Sequence, residues 1–378
     1  MTAIASQRPR RILLTGDTAG GVWTFALDLA EGLIERGLEI CLATFGPKLT
    51  DEQRRSAGRI NGMQWLHHTS KLEWMEEPWL DLKVAGRWLR EVARAYRPEL
   101  IHLNTLYHAN RNWNLPVVTT VHSCVASWWA AVRKSPLPPE WNRYRFEVES
   151  SLRSSTLLIA PSRALLTAVD RHYNIDATGS LVIHNGRNFT AFHTRQKEPL
   201  VLSAGRLWDE AKNISAVASV APHLLWPVYL AGDASGPNGQ SMGPQENCNL
   251  LGQLGIAELS AWYARAAIFA EPARYEPFGL SILEAALSGC ALLLGDIPSL
   301  RELWLDAAIF VEPDDEDGLR RALRRLMDDS GLREEMSSRA LDRARQFTRT
   351  RMVNGYLAAY STALEKFSHG NWRHACAS

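Results

Sequence analysis

Apolar residues along this chain fall into short, near-continuous runs separated by stretches of helical periodicity. "RILLT" leads into "GVWTFALDLAEGLIERG", which places Val22, Phe25, Leu29 and Leu33 on one helical face and ends at Gly37, a suitable C-terminal glycine. "LEICLATF" follows, then "LIHLN", "VVTTVH", "LLIAPS" and "LVIHNG". After the polar stretch Asn185–Pro199 the pattern restarts with "LVLSAG", "VYLAGD", "NLLGQL", "AIFAEP", "ALLLGD" and "AIFVEP". Apolar strands alternating with helices predict parallel sheets covered on both faces, an α/β fold.

The restart predicts two doubly wound domains, 1–187 and 188–349, with 350–378 as a last helix and tail that returns to the first. Ligands of such sheets bind outside the carboxyl ends of the strands, so two facing domains would form a cleft. The chain's 378 residues suit two cores.

Composition removes several classes. The net charge of +1 gives no field that would favour nucleic acid or an anionic surface. No apolar run approaches the roughly 18 residues of a membrane span, and "MTAIASQRPRRILLTGD" is too poor in apolar residues for a signal-peptide core. That start reads as a ragged terminus, and no membrane association is expected. Cys41, Cys124, Cys248, Cys290 and Cys376 are scattered, without a C-x-x-C pair, and read as small buried residues of a reducing, cytoplasmic compartment.

Candidate chemistry gathers at strand ends. In "TGDTAGGVW", Gly20 and Gly21 open a helix and let a ligand approach its N-terminus, without the G-x-G-x-x-G of a dinucleotide fold. His122 closes "VVTTVH". Arg206 and Lys212 in "SAGRLWDEAKN" suit a diphosphate, the guanidinium through paired hydrogen bonds and the ammonium as a mobile charge. In "ARYEPFGLSILEAALSG", Glu276 lies in a loop, and Ser281 with Glu284 has the S-x-x-E form of a capping box, with Ser281 as N-cap. The D-x-D match Asp315–Asp317 precedes a helical pattern and reads as a cap, so no metal site is expected.

The order of "GDTAGGVW", "VVTTVH", "APSRALL", "VIHNG", "AGRLWDEAKN", "AGD", "LLGQL" and "EPFGLSILEAALSG" resembles the retaining glycosyltransferases of family 4 over nearly the whole chain. Glu276-x7-Glu284 is the most specific element. The resemblance implies the GT-B fold, two Rossmann-like domains facing a central cleft. It implies a nucleotide-diphosphate sugar as donor, a sugar or other hydroxyl as acceptor, and no cofactor. Arg206 and Lys212 would hold the diphosphate, Glu284 the ribose hydroxyls and Glu276 the donor sugar. The N–H groups around Phe278, Gly279 and Leu280 would anchor sugar or phosphate, and Gly20 and Gly21 would approach the phosphates. His122 would sit at the sugar, and the base near Gly232, Asp233 and Leu251 to Leu254. Lys212 lies six positions after Arg206 where the family pattern has five, so Lys212 or a neighbour is the phosphate ligand. The 14 tryptophans are mostly core candidates, though "SWWAAV" and "WMEEPWLDLKVAGRW" could line a sugar-acceptor groove. Competing readings are an epimerase or phosphorylase on the same architecture, or a nucleotide-sugar-binding protein without turnover.

Overall fold

The structure, a computed structural model, describes residues 8–235, 243 and 246–375. The first seven residues and Cys376 lie outside them. The chain divides into two compact units. One comprises the chain up to Ser127, Pro136–Gly186 and everything from Arg349 on; the other comprises Trp128–Ser135 and Arg187–Thr348.

The first unit is built on a seven-stranded parallel sheet: β1 (Arg11–Asp17), β2 (Glu39–Gly46), β3 (Met63–Thr69), β4 (Leu100–Leu103), β5 (Val117–Thr120), β6 (Leu157–Ala160) and β7 (Leu181–Val182). Their order is β3-β2-β1-β4-β5-β6-β7, so the winding reverses between β1 and β4. Side chains alternate between faces, as a pleated strand requires. Ile12, Leu14, Ile40 and Leu42 meet Phe25 and Leu29 of the helix Gly21–Ile34 and Met352, Val353 and Tyr356 of the helix Arg349–Ala375. Leu13, Cys41, Ala43 and Ile101 face the opposite way, onto Ala85 and Leu89 of the helix Trp79–Tyr96. β3, "MQWLHHT", is not among the strands predicted from the sequence. It is an edge strand, mostly half-buried, whose polar residues break up the apolar run. "LVIHNG" yields only the two paired residues of β7.

The second unit has a six-stranded parallel sheet: β8 (Glu198–Ala204), β9 (Val228–Ala231), β10 (Cys248–Gly252), β11 (Ala266–Glu271), β12 (Ala291–Gly295) and β13 (Ile309–Val311). The order β10-β9-β8-β11-β12-β13 reverses between β8 and β11. Leu202, Phe269, Leu292 and Leu294 pack on one face against Ile282 and Leu283 of the helix Leu280–Leu287. Val201, Ile268, Ala270 and Leu293 pack on the other, against Val217 and Leu323. Arg187 N–H donates to Phe347 O at 3.1 Å, so the chain enters and leaves this unit side by side. No helix among the described residues is long and apolar enough to cross a membrane.

A polar strand of contacts threads the first unit's core. His102 on β4 meets Tyr360 OH through Nδ1 and Thr120 Oγ1 through Nε2, each at 2.8 Å. Burial, and then the neighbouring His122, pushes its pKa down to about 3. His108 is pushed to about 3 as well, by burial and then by Arg111 and Arg90. Both fold neutral from an ordinary value of 6.5. The unfolded chain therefore binds protons that the folded unit refuses. The stability these residues allow is complete above about pH 6.5 and is lost as pH falls toward 3. Each is expected to contribute up to about 1.4 kcal/mol per pH unit in that window. Urea unfolding between pH 7.5 and 5 checks this, and His102→Gln should flatten the slope relative to the parent.

Candidate functional site

The carboxyl ends of β8 and β11 flank the second sheet's reversal point, the place where open α/β sheets receive ligands. Most of the residues singled out in that half of the sequence collect there. Arg206 follows β8 in a loop fixed by its own backbone. Gly205 N–H donates to Ala231 O at 2.9 Å and Leu207 N–H to Asp233 O at 3.0 Å. This closeness requires Gly232, at φ 143°, because a Cβ there would lie 1.7 Å from Gly205 O. Arg206 is half-exposed and donates through Nε at 3.1 Å and Nη2 at 2.5 Å to Asp209 Oδ2.

The six-residue spacing now has a physical shape. Asp209 N–H donates to Arg206 O, and Lys212 N–H donates to Asp209 O, so the intervening residues coil into two tight turns. Buried Asp209 also accepts from Ala211 N–H at 3.0 Å. The coil delivers Lys212 between two carboxylates. Its Nζ lies 2.8 Å from Glu271 Oε1 and 2.5 Å from Glu276 Oε2. Glu271 Oε2 in turn accepts from Ser281 Oγ at 2.8 Å, and Glu276 Oε1 accepts from Phe278 N–H at 3.1 Å.

Burial works against the ammonium of Lys212, but Glu271 and then Glu276 outweigh it and hold its pKa above the ordinary lysine value. Burial raises Glu271, with Lys212 opposing and Glu276 reinforcing the rise. Glu276 moves the other way: burial opposes its charge, yet Lys212, the Phe278 N–H and Arg206 hold its carboxyl below the ordinary range. Glu271 has no predicted role from the sequence. The available signal was a glutamate closing the otherwise apolar run of β11, where it is fully buried.

The capping reading of Ser281 is corrected. Gly279 adopts the left-handed conformation, at φ 85°, and starts the helix Leu280–Leu287 two residues earlier. Ser281 therefore lies inside the first turn, and its hydroxyl serves Glu271. No side chain caps this helix, so the backbone start at Gly279 and Leu280 stands between the two predicted glutamates. Phe278 itself is buried, its ring edge-on to Phe347 and its N–H directed to Glu276. Glu284 is buried as well and pairs with Arg187, whose Nε lies 3.0 Å from Glu284 Oε1. Arg187 escaped the sequence analysis because an arginine in a polar stretch reads as solvated.

Asp233 Oδ1 accepts from Ser235 N–H at 2.9 Å, and Leu251 and Leu254 are half-buried against the core below β9 and β10. Asp315 caps the helix Glu316–Asp328, accepting from Gly318 N–H at 2.8 Å, and Asp317 pairs with Arg320. Among the described residues no group of three or more His, Cys, Asp or Glu is arranged to hold a metal.

In the first unit, Gly20 and Gly21 are exposed at the start of the helix Gly21–Ile34, which no side chain caps. Asp17 Oδ1 turns the preceding loop by accepting from Ala19 N–H at 2.8 Å. His122 lies just past β5, partly exposed, with Phe25 edge-on 4.5 Å away. Its Nε2–H donates to Asn104 Oδ1 at 2.7 Å, and Asn104 Nδ2 donates to Thr15 O at 2.7 Å. This chain bridges the ends of β1, β4 and β5. Dense packing pushes His122 down to about 3, so its imidazole is neutral and its Nδ1 is an acceptor. The two tryptophan stretches belong to different units. Trp79 packs near Tyr107 in the first unit, whereas Trp128 and Trp129 lie 6.2 Å apart in the second, next to Arg133.

The family pattern described as Glycosyltransferase Family 4 matches residues 19–190, and that described as Glycosyl transferases group 1 matches residues 198–329. O-antigen chain mannosyltransferase B of Escherichia coli is 29% identical over 167 residues, which are 43% of this chain and 38% of that protein's own length. A D-inositol 3-phosphate glycosyltransferase of Xylanimonas cellulosilytica is 25% identical over 406 residues, covering 93% of this chain and 94% of the relative. The solved structure of Anabaena HepE in complex with UDP-glucose superposes with a TM-score of 0.72 at 17% identity, covering 92% of this chain and 98% of that one.

The lysine cluster generates a stability test. Lys212→Met would leave two buried carboxylates without their cation, an expected cost of about 3–5 kcal/mol. Lys212→Met combined with Glu271→Gln should recover part of it, since one of the two charges is gone. Urea unfolding of the parent and both variants measures the difference. Equal stability of parent and Lys212→Met would remove Lys212 from this role.

Proposed function

Because the chain belongs to the family 4 glycosyltransferases and has their GT-B fold, we propose that it moves a hexose-type sugar from a nucleotide-diphosphate sugar to an acceptor hydroxyl. The anomeric configuration is retained, and the product belongs to a glycan or glycoconjugate. One observation carries this reading. Arg206, Lys212 and Glu276 converge beside an uncapped helix start at the reversal point of the second sheet. A nucleotide sugar needs that combination, with cations and N–H groups for its charged middle and carboxylates for its hydroxyl-rich ends. The UDP-glucose held by HepE supports a donor of this class.

On this reading the bond between the sugar's anomeric carbon and the diphosphate oxygen breaks as the sugar becomes oxocarbenium-like. Arg206, Lys212 and the N–H groups at Gly279 and Leu280 stabilise the negative charge that develops on the leaving diphosphate. The acceptor oxygen forms its bond on the same face, and its proton passes to the departing phosphate oxygen. No protein nucleophile is required. Glu276 accepts from hydroxyls of the donor sugar and Glu284 from the ribose. The base lies along Gly232, Asp233 and Leu251 to Leu254. In the first unit, Gly20 and Gly21 approach the phosphates, and His122 belongs to the sugar near the acceptor side, where it works as a neutral hydrogen-bonding group. The reaction is metal-independent, because the D-x-D acids are engaged in capping and in an ion pair.

A panel of uridine, guanosine, adenosine and cytidine diphosphate sugars, each incubated with candidate hydroxyl acceptors, tests the reading by proton NMR. The product's anomeric coupling should match the donor's, with turnover unaffected by excess chelator. Inversion of configuration would overturn the mechanism, and chelator loss restored by Mg²⁺ would overturn its metal independence. Arg206→Ala should remain folded and weaken nucleoside-diphosphate binding by roughly 1.5–3 kcal/mol, read by calorimetry.

A further inference from the structure

On the reading above, in which Glu284 meets the donor's ribose, we propose that Arg187 is the positioning residue of that contact. Arg187 is 4% exposed and Glu284 9%, and Nε stands 3.0 Å from Oε1. Two contacts place Arg187. Its backbone N–H donates to Phe347 O at 3.1 Å, within the bridge it forms with Thr348, and its guanidinium lies 5.4 Å from the centre of the Phe192 ring. Glu284 is equally fixed, on the helix Leu280–Leu287 packed into the core. The carboxylate is therefore held between two immobile supports.

Such a pair is a poor device for stability alone, since well-packed apolar residues of similar volume often serve a fold as well or better. For ribose recognition it has a clear use. A buried carboxylate without a cation is driven toward its neutral form, which carries a proton and gives up acceptor capacity. Arg187 keeps the charge that makes hydrogen bonds from two adjacent hydroxyls strong. A guanidinium also keeps its charge when buried, which an ammonium does less readily.

The test separates an effect on ribose from an effect on folding. Calorimetry on the full chain first identifies which of uridine, guanosine, adenosine and cytidine diphosphate binds, then compares that diphosphate with its 2′,3′-dideoxy analogue. The parent should prefer the ribose form by about ten- to a hundredfold, the value of a charge-assisted contact. Arg187→Met should bring that preference close to one while leaving affinity for the dideoxy analogue nearly unchanged, because the diphosphate is gripped elsewhere. Arg187→Lys should restore part of the preference. Should Arg187→Met fail to fold, the comparison rests on Arg187→Lys, expected to lower the preference severalfold at an unchanged melting temperature. Equal weakening of both ligands, or a preference unchanged in the folded variants, would overturn the role of Arg187. A parent that does not distinguish the two forms would overturn the ribose role of Glu284 and this proposal with it. Failure of the parent to bind any of the four diphosphates would overturn the donor reading itself.

Discussion

The second unit is organised around one ammonium. Lys212 is delivered by the loop after β8, Glu271 is the last residue of β11, and Glu276 belongs to the loop that follows. β8 pairs with β11, Arg274 N–H donates to Ala211 O at 2.8 Å, and the lysine adds the charged contact that all three elements share. The geometry is demanding because the group is buried. A surface ion pair gives little and tolerates drift, whereas a buried charge must be met closely on more than one side. The two turns from Arg206 to Lys212, with the buried hub Asp209, deliver the ammonium to that position, and the absence of a side chain at Gly232 lets the start of this loop lie close to the end of β9.

The same economy of placement operates in both sheets. Each reverses its winding once, between β1 and β4 in the first unit and between β8 and β11 in the second. At each reversal the helices that follow adjacent strands lie on opposite faces, so the loops diverge and leave room for a ligand. In the first unit the room is framed by the glycine turn and the hydrogen-bonded chain Thr15, Asn104 and His122. In the second it is framed by the lysine cluster and a helix start without a side-chain cap.

The strand series was legible because strands buried on both faces must be apolar at nearly every position, and such runs are conspicuous. β3 was not, since an edge strand is free to carry Gln64, His67 and His68. Site residues were legible where local sequence carries the geometry, as with Arg206 at a strand end or Asp315 before a helix. Legibility failed where a residue's partner is remote. Arg187 and Glu284 meet only after the chain has built the sheet between them, and nothing near Arg187 announces its burial. Ser281 failed for another reason. S-x-x-E matches a capping box, but Gly279, free to take positive φ, starts the helix sooner than the side-chain pattern indicates.

That earlier start changes the electrostatics of the candidate site. A capping box would have turned two side chains onto the helix's first N–H groups and closed them to an anion. Instead Ser281 turns to Glu271 and Glu284 pairs with Arg187, while Gly279 offers no side chain at all. Three acidic residues lie around the helix start, which by count should repel a diphosphate. Their partners remove the objection. Glu276 is neutralised by Lys212 and Glu284 by Arg187, while burial pushes Glu271 toward its protonated form. Arg206 is offset by Asp209 but remains half-exposed. An incoming anion therefore meets near-balanced side-chain charge and the positive end of a helix dipole. On the proposed reading, attraction at the charged middle of a nucleotide sugar comes from N–H groups and from cations that share their contacts, while Glu276 and Glu284, each paired with a cation, serve the hydroxyls on either side of it.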